Sequence, residues 1–311
     1  AVERRQYRTF GKNRLLAQVV GDPDGAALAT RYEYTDSGAL RLTVGPDGSW
    51  SENVFSNGWV SERRSAWLDA GTNAAEAASQ STAYDYAPFL VDTSGVLWPD
   101  TGRTDPGTPR VETVTVAGVP VAKTLRVIYT DTMGYKTVEE VRLPDPSRTG
   151  HAAAYADPAN PRTVRTYMPK SDTLPWSERP ETVRHPDGRT ESHAYAFGNY
   201  SPGAPTSPGI FTENPTGAFV RVTLTYGTVN APGGTAFRTT RGVTIENHVG
   251  RVLQTETHLY DGEDYQLLAW SKNTLNDLGQ VVATLGSDGT LAETVWGCCG
   301  PESETAADGT V

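Results

Sequence analysis

An internal repeat without gaps limits the folds open to this chain. The stretch DSGALRLTVGPDGSWSENV begins at Asp36, and DLGQVVATLGSDGTLAETV begins at Asp277, an offset of 241 positions. Under this offset Gly38 aligns with Gly279, and the two Asp-Gly pairs coincide. A short unit that recurs in this way cannot bury an apolar face alone, so similar units must stack on one another.

Each copy predicts a β-hairpin. Leu40, Leu42 and Val44 alternate with polar residues and therefore share one face of a strand. An Asp-Gly pair between two such segments indicates a tight loop, because Gly adopts positive φ without steric cost and Asp tolerates it. The chain has six Asp-Gly pairs. We predict that three of them close hairpins with glycine at positive φ: Asp47-Gly48, Asp187-Gly188 and Asp288-Gly289.

Composition favours an all-β fold. Only 37% of the 311 residues are hydrophobic, and the 31 Gly and 21 Pro suit many turns between short strands. We predict repeated β-hairpins that form a curved antiparallel sheet ribbon, continuous over residues 1–311 and belonging to a longer chain. Irregular insertions are expected near 65–110, 144–180 and 198–218. The Ala-rich stretch from Ser65 to Tyr84 has room for one short helix.

Charge and hydropathy exclude two classes of partner. The net charge is −10, and no Lys/Arg cluster offers the basic footprint that phosphate binding requires, so no nucleic-acid partner is expected. No apolar run approaches the roughly 20 residues of a membrane helix, so no membrane span is expected in this segment.

Residues that could carry chemistry are few. His185 and His193 flank one Asp-Gly loop, but they lack the H-E-x-x-H spacing of zinc proteases, and surface strand positions are the preferred interpretation. The acidic stretch from Asp261 to Asp264 lacks the full pattern of a calcium loop. Tyrosines at strand ends fit packing better than a carbohydrate-binding face. We expect no catalytic residue, no metal site and no cofactor.

The two adjacent cysteines, Cys298 and Cys299, leave three states open. A vicinal disulfide requires a strained ring, a bond to another chain or repeat suits an exported protein, and two thiols are the simplest state. Flanking glycines and Pro301 indicate a turn here. We predict a structural role for both, with at least one buried against the strands that end at Trp296.

The repeated motif resembles the unit of the RHS or YD-repeat family of large bacterial proteins. That unit is roughly Tyr-Asp-x-x-Gly-Arg-Leu, then alternating strand residues, then Asp-Gly. Two full copies of this unit are YTDSGALRLTVGPDG, whose final Asp-Gly ends at Gly48, and LNDLGQVVATLGSDG, whose final Asp-Gly ends at Gly289. A further copy, ENHVGRVLQTE, lies around Gly250, and the second half of a unit, RHPDGRTESHAY, lies around Gly188. Where the family has Asp directly after Tyr, this chain has Thr35 in the first copy and Asn276 in the second.

The resemblance implies a function as well as a fold. Relatives build a hollow β-sheet shell that encloses a toxin or another polypeptide, and they are exported bacterial proteins found outside the cell or at its surface. For this chain it implies a non-catalytic segment of such a shell, with neighbouring repeats and an enclosed polypeptide cargo as partners. A surface fibre, adhesin or carbohydrate-binding module on the same repeats is the alternative. A glycosidase or lyase on a β scaffold is a more distant one.

Overall fold

A computed structural model describes residues 3–10, 13–21, 26–68, 71–72, 78–87, 107–229, 236–298 and 300–306. These residues form 21 strands and one short helix. The prediction of an all-β, antiparallel hairpin fold is confirmed. The chain divides into two compact units, Ala1–Tyr129 with Glu139–Arg162, and Thr130–Val138 with Thr163–Val311. No helix in the described part of the chain is long and apolar enough to cross a membrane.

The first unit is a run of hairpins followed by the helix. It carries all or most of β1 (Glu3–Phe10), β2 (Asn13–Gly21), β3 (Leu28–Tyr34), β4 (Leu40–Val44), β5 (Trp50–Ser56), β6 (Trp59–Ala66), β7 (Ser79–Asp85), β8 (Val111–Val116), β9 (Val119–Thr130), β10 (Lys136–Leu143) and α1 (His151–Ala156). Each strand from β1 to β8 pairs antiparallel with the next one along the chain.

The second unit continues the same topology with longer strands. It carries all or most of β11 (Arg162–Tyr167), β12 (Pro180–Arg184), β13 (Arg189–Ser201), β14 (Ile210–Glu213), β15 (Phe219–Val229), β16 (Ala236–Asn247), β17 (Val252–Tyr260), β18 (Tyr265–Leu275), β19 (Val281–Gly286), β20 (Leu291–Trp296) and β21 (Pro301–Thr305). Strand β13 pairs with both β14 and β15, and the strands from β15 onward pair antiparallel in chain order.

The two copies of the sequence repeat have the same strand register. Leu42 faces Glu52 across β4 and β5, and Ala283 faces Glu293 across β19 and β20. Each residue of the second pair lies 241 positions after its counterpart in the first. Because side chains alternate between the two faces of a strand, an equal register places corresponding residues of the two copies on corresponding faces of their hairpins.

A β-bulge before each copy also falls at the same offset. Tyr34 pairs with Leu40 beyond a register shift in the first unit, and Leu275 pairs with Val281 beyond the same shift in the second. Leu40 and Val281 therefore occupy equivalent positions and face the same side of their hairpins.

The core of the first unit lies where α1 packs against three strands. Its buried members come from β8, β9, β10 and α1: Val111, Leu125, Val127, Val141, Leu143, Ala154 and Tyr155. Between the apolar positions of β9, Arg126 bonds Glu112 at 2.9 Å and Glu140 at 2.7 Å. Alternation thus gives the middle strand one apolar face and one face with ion pairs across its neighbours.

The expected insertions contain regular elements. In the Ala-rich stretch, where the sequence leaves room for a helix, residues from Ser79 onward form strand β7, because they pair with β6 on one side and β8 on the other. Residues 73–77 of that stretch lie outside the described residues. The one helix in the described part of the chain, α1, lies instead in the expected insertion 144–180, which also contains β11. A single continuous repeat segment over residues 1–311 stays a prediction.

In the second unit, two irregular segments cover opposite faces of the sheet. The ring of Trp176 lies 5.8 Å from that of Tyr195 and 4.7 Å from that of Phe197. On the other face, the backbone N–H of Gly209 donates to Gln254 Oε1 at 2.6 Å. The strand pairing places Gln254 on the face of the sheet opposite to the one that carries Tyr195. One insertion therefore covers aromatic strand residues, and the other covers the buried side chain of Gln254.

We expect valine truncation on β9 to separate the packed core from the surface. Val127 is 3% exposed, whereas Val121 on the same strand is 53% exposed. Val127→Ala should lower the free energy of unfolding by about 2 kcal/mol, because buried apolar groups are lost and a cavity remains. The matched variant Val121→Ala should change it by less than about 0.5 kcal/mol. Urea denaturation of both variants checks this, and equal losses would contradict the assigned core.

Candidate functional site

Seven hairpin loops in the described residues share one backbone pattern. In each, the N–H of the first loop residue donates to the carbonyl of the fifth, and the N–H of the fourth donates to the carbonyl of the first. The fourth residue is always Gly, with φ between 74° and 90°. This is the pattern of three-residue hairpin loops that end in a left-handed residue. The loops span 35–39, 45–49, 131–135, 185–189, 247–251, 276–280 and 286–290.

In four of these loops the first residue caps the backbone with its side chain. Asn276 Oδ1 accepts the N–H groups of Leu278 at 3.1 Å and Gln280 at 3.0 Å. Thr35 Oγ1 accepts the N–H of Ala39 at 3.1 Å. Asp131 and Asn247 do the same in their loops. Thr35 and Asn276, which differ from the Asp of the RHS or YD-repeat unit, therefore still supply the hydrogen-bond acceptor that the loop uses.

In the other three loops an Asp at the third position supplies the acceptor. Asp47, Asp187 and Asp288 accept the N–H of the fifth loop residue at 3.0 to 3.1 Å. The Ser49 hydroxyl also donates to Asp47, and the Thr290 hydroxyl to Asp288. These hydrogen bonds lower the pKa of both carboxyl groups below the ordinary value.

A β-bulge lies beside three of the loops and leaves one backbone carbonyl outside the strand ladder. A side chain distant in sequence donates a hydrogen bond to that carbonyl. This carbonyl belongs to the residue just after the loop. The donors lie on the next strand: Asn53 Nδ2 to Leu40 O at 2.9 Å, Asn273 Nδ2 to Val252 O at 3.1 Å, and Trp296 Nε1 to Val281 O at 2.7 Å. Each such bond links the loop to a third strand and satisfies an acceptor that the ladder leaves open.

The predicted loop glycines all lie in this pattern. Gly38, Gly48, Gly188, Gly250, Gly279 and Gly289 are the fourth residues of their loops. At Gly48 a Cβ would meet no atom within 4 Å, so the positive φ, rather than crowding, is what favours glycine there. The loop 131–135 was not predicted, because it has no Asp-Gly pair and lies outside both repeat copies and the stretch ENHVGRVLQTE; the Asp-x-x-Gly spacing from Asp131 is the signal that identifies it.

The histidines near one loop meet on a single carboxylate. His185 Nε2 lies 2.8 Å from Glu191 Oε1, and His193 Nε2 lies 3.9 Å from Glu191 Oε2. Burial lowers the pKa of His193. Among the described residues no group of three or more His, Cys, Asp or Glu side chains is arranged to hold a metal ion.

The acidic stretch and the tyrosines both bond to nearby backbone. Asp261 Oδ1 accepts the N–H groups of Glu263 and Asp264, each at 2.9 Å, and these bonds lower the pKa of its carboxyl group. Tyr34 donates to the carbonyl of Leu16 at 2.7 Å, and Tyr260 to that of Gly262 at 2.9 Å. Their hydroxyls fix turns and strand ends within the fold.

The cysteines follow β20. Cys298 is exposed, and Cys299 lies outside the described residues. A structural role for the pair, with one member buried, stays a prediction.

Removal of a loop cap should destabilise the protein. Asn276→Ala leaves two backbone N–H groups without their acceptor, so we expect the free energy of unfolding to fall by about 1–2 kcal/mol. Asn276→Asp keeps the acceptor and should restore most of that loss. Asp277→Ala changes the next loop residue, whose side chain has no hydrogen bond in the described structure, and serves as the control. Urea denaturation compares the three variants; an unchanged Asn276→Ala protein would contradict the capping role.

The loop aspartates should titrate below the ordinary Asp pKa of about 3.9. Because folding lowers the pKa of Asp47 and Asp288, their stabilising effect is present above the unfolded value and is lost as pH falls through the folded value. Carbon-13 NMR titration of the side-chain carboxyl groups measures the pKa of each of these two aspartates in the folded protein. A pKa at or above 3.9 for both residues would show that the loop hydrogen bonds do not persist in solution.

Comparisons with known proteins give structural matches alone. No family model and no curated protein matches the chain. A crystal structure of TcdB2-TccC3-TEV aligns at 12% identity and a TM-score of 0.32, covering 97% of this chain and 16% of that one. A structure of a Photorhabdus luminescens Tc holotoxin pore aligns at 12% identity and a TM-score of 0.33, covering 92% and 15%. The chain thus spans about a sixth of the length of each solved chain.

Proposed function

We propose that this chain is a non-catalytic structural segment of a longer, exported bacterial repeat protein, and that it forms part of a β-sheet wall around an enclosed polypeptide. The observation that carries the proposal is the loop pattern that recurs seven times in the described residues. A chain that repeats one loop chemistry and one register makes a sheet whose length is set by the number of units.

The side chains at the loops support a structural role. The polar groups of the repeat, at Asp47, Asp187, Asp288 and Asn276, are bonded to the backbone of their own loops. They define where each strand turns. Their oxygen atoms point at N–H groups rather than at a common centre, which suits a wall better than a catalytic site.

The strand topology supports partners on both sides. Strand β1 pairs with β2, and β21 pairs with β20. In the described residues no further strand pairs with β1 or β21, and natural sheets cover or pair the open edges of outer strands. Neighbouring repeats of the same longer chain would provide that pairing, and a wall built this way separates an inner from an outer space.

A photo-crosslinking experiment tests enclosure. Glu293 and Thr294 are successive residues of β20, and their side chains therefore point to opposite faces of the sheet. A benzoylphenylalanine placed at each position, in the full-length polypeptide that contains this chain, should crosslink to an enclosed segment from one position and not from the other.

The outcomes separate the competing functions. Crosslinks from one face support enclosure. Crosslinks to a distant segment from neither face would contradict it and favour a fibre or adhesin, in which both faces meet solvent or host molecules. Equal crosslinking from both faces would show that the sheet is buried on both sides and does not act as a wall.

A further inference from the structure

A polar cavity in the second unit has no role in the loop chemistry. Its volume is about 540 Å³, within the range of small-molecule sites. Hydroxyl side chains of β13 and β15 line one side, and two guanidinium groups of β16 with one phenol of β18 line the other. The residues that matter here are Ser192, Thr223, Thr225, Arg238, Arg241 and Tyr265.

The strand register aligns these groups on one face. Ser192 pairs with Thr225 across β13 and β15, and Thr225 pairs with Arg241 across β15 and β16. Directly paired residues of neighbouring strands project from the same face of a sheet. The cavity therefore presents a row of hydroxyls that leads to a guanidinium group, and this row lies on the face that carries Gln254.

Arg241 is held in place but not neutralised. Its guanidinium carbon lies 4.4 Å from the centroid of the Tyr265 ring, and one of its terminal nitrogens lies 3.3 Å from His258 Nδ1. The carboxylate of Glu256 is occupied elsewhere, since it bonds His258 Nε2 at 2.8 Å and Gln254 Nε2 at 2.6 Å. The aromatic ring and the imidazole thus orient the guanidinium group.

Two buried polar atoms at the cavity lack a partner among the described residues. These are Arg241 Nε and Tyr265 Oη. Buried polar groups are nearly always hydrogen-bonded, and an exception calls for a specific explanation. Both atoms belong to residues that line the cavity, so the residues around the cavity have hydrogen-bonding capacity that the described side chains do not use.

The charge at the cavity is positive in an otherwise acidic chain. Within the described residues no carboxylate forms a salt bridge with Arg238 or Arg241. The stretch 230–235 between β15 and β16 reads Asn-Ala-Pro-Gly-Gly-Thr and contains no acid. The cavity therefore holds two guanidinium groups without a carboxylate partner among the described residues, and a planar guanidinium binds carboxylate or phosphate through two parallel hydrogen bonds.

We propose that this cavity binds a small polyhydroxylated anion, such as a sugar acid or a sugar phosphate. The carboxylate or phosphate would lie on Arg241 and Arg238, and the ligand hydroxyls would bond the Ser192 and Thr225 side chains. The ring of Tyr265 holds the Arg241 guanidinium in position at the edge of the site. This site is independent of enclosure, because a wall segment and an adhesin could each carry it.

Isothermal titration of the 311-residue chain tests the site with three probes. Glucuronate carries a carboxylate, glucose 6-phosphate carries a phosphate, and glucose carries neither. We expect saturable binding of at least one of the anions and much weaker binding of glucose. Binding of glucuronate alone identifies a sugar acid as the ligand class, and binding of glucose 6-phosphate alone identifies a sugar phosphate.

Variants assign the binding to this cavity. Arg241→Gln and Arg238→Gln should each weaken anion binding by about tenfold or more, because a charged hydrogen bond is lost. Arg142→Gln removes the same charge from an exposed position in the first unit and should leave binding unchanged. Thr225→Val keeps the shape of its side chain and should weaken binding even if an arginine variant does not fold.

Three results would overturn the proposal: no binding of either anion, glucose binding as tight as that of the anions, or cavity variants that bind like the unmodified chain. The crosslinking experiment does not depend on any of these binding results. Failure of the proposed ligand site is therefore distinguishable from failure of the proposed enclosure.

Discussion

The hydrogen bond between the first and fifth residues of the hairpin loop is the contact on which the rest of this structure depends. It brings two strands together at a defined pair of residues, and glycine at the fourth position makes the required positive φ available. A slip of one residue would move every apolar side chain to the opposite face. The equal pairing of Leu42 with Glu52 and of Ala283 with Glu293 shows that the loop sets the same register in both units.

Loops alone do not cover a sheet, and the insertions complete the packing. In the second unit, Lys272 Nζ donates to three backbone carbonyls of one insertion, those of Pro202 at 3.0 Å, Ala204 at 2.6 Å and Ser207 at 2.8 Å. Gln254, which is fully buried, bonds Gly209 of the same insertion. One end of this face is therefore closed by backbone, whereas the cavity near Arg241 lies on the same face farther along the strands. The proposed wall and the proposed ligand site are compatible, because they use different parts of one sheet.

The sequence was most informative where the chemistry is local. Asp-Gly pairs and the 241-residue offset predicted the hairpins, because a loop depends on residues adjacent in the chain. The loop 131–135 has no Asp-Gly pair and lies outside both copies of the repeat, so neither signal marks it. Contacts between residues far apart in sequence, such as Lys272 with the insertion or Arg241 with Tyr265, leave no periodic signal. Neither the hydrogen bonds of Lys272 nor the cavity could therefore be predicted. Helix α1 was missed because the prolines around it indicated a loop, although its HAAAYA sequence favours a helix.

Cross-strand cysteine pairs measure the shared register most directly. With Cys298 and Cys299 replaced by Ser, the pairs Leu42→Cys with Glu52→Cys and Ala283→Cys with Glu293→Cys should both form disulfides on mild oxidation, since directly opposed strand residues lie within disulfide range. Pairs shifted by one residue, Leu42→Cys with Ser51→Cys and Ala283→Cys with Ala292→Cys, should not. Disulfides in the shifted pairs, or in the opposed pair of one copy alone, would contradict a wall built from one repeated hairpin.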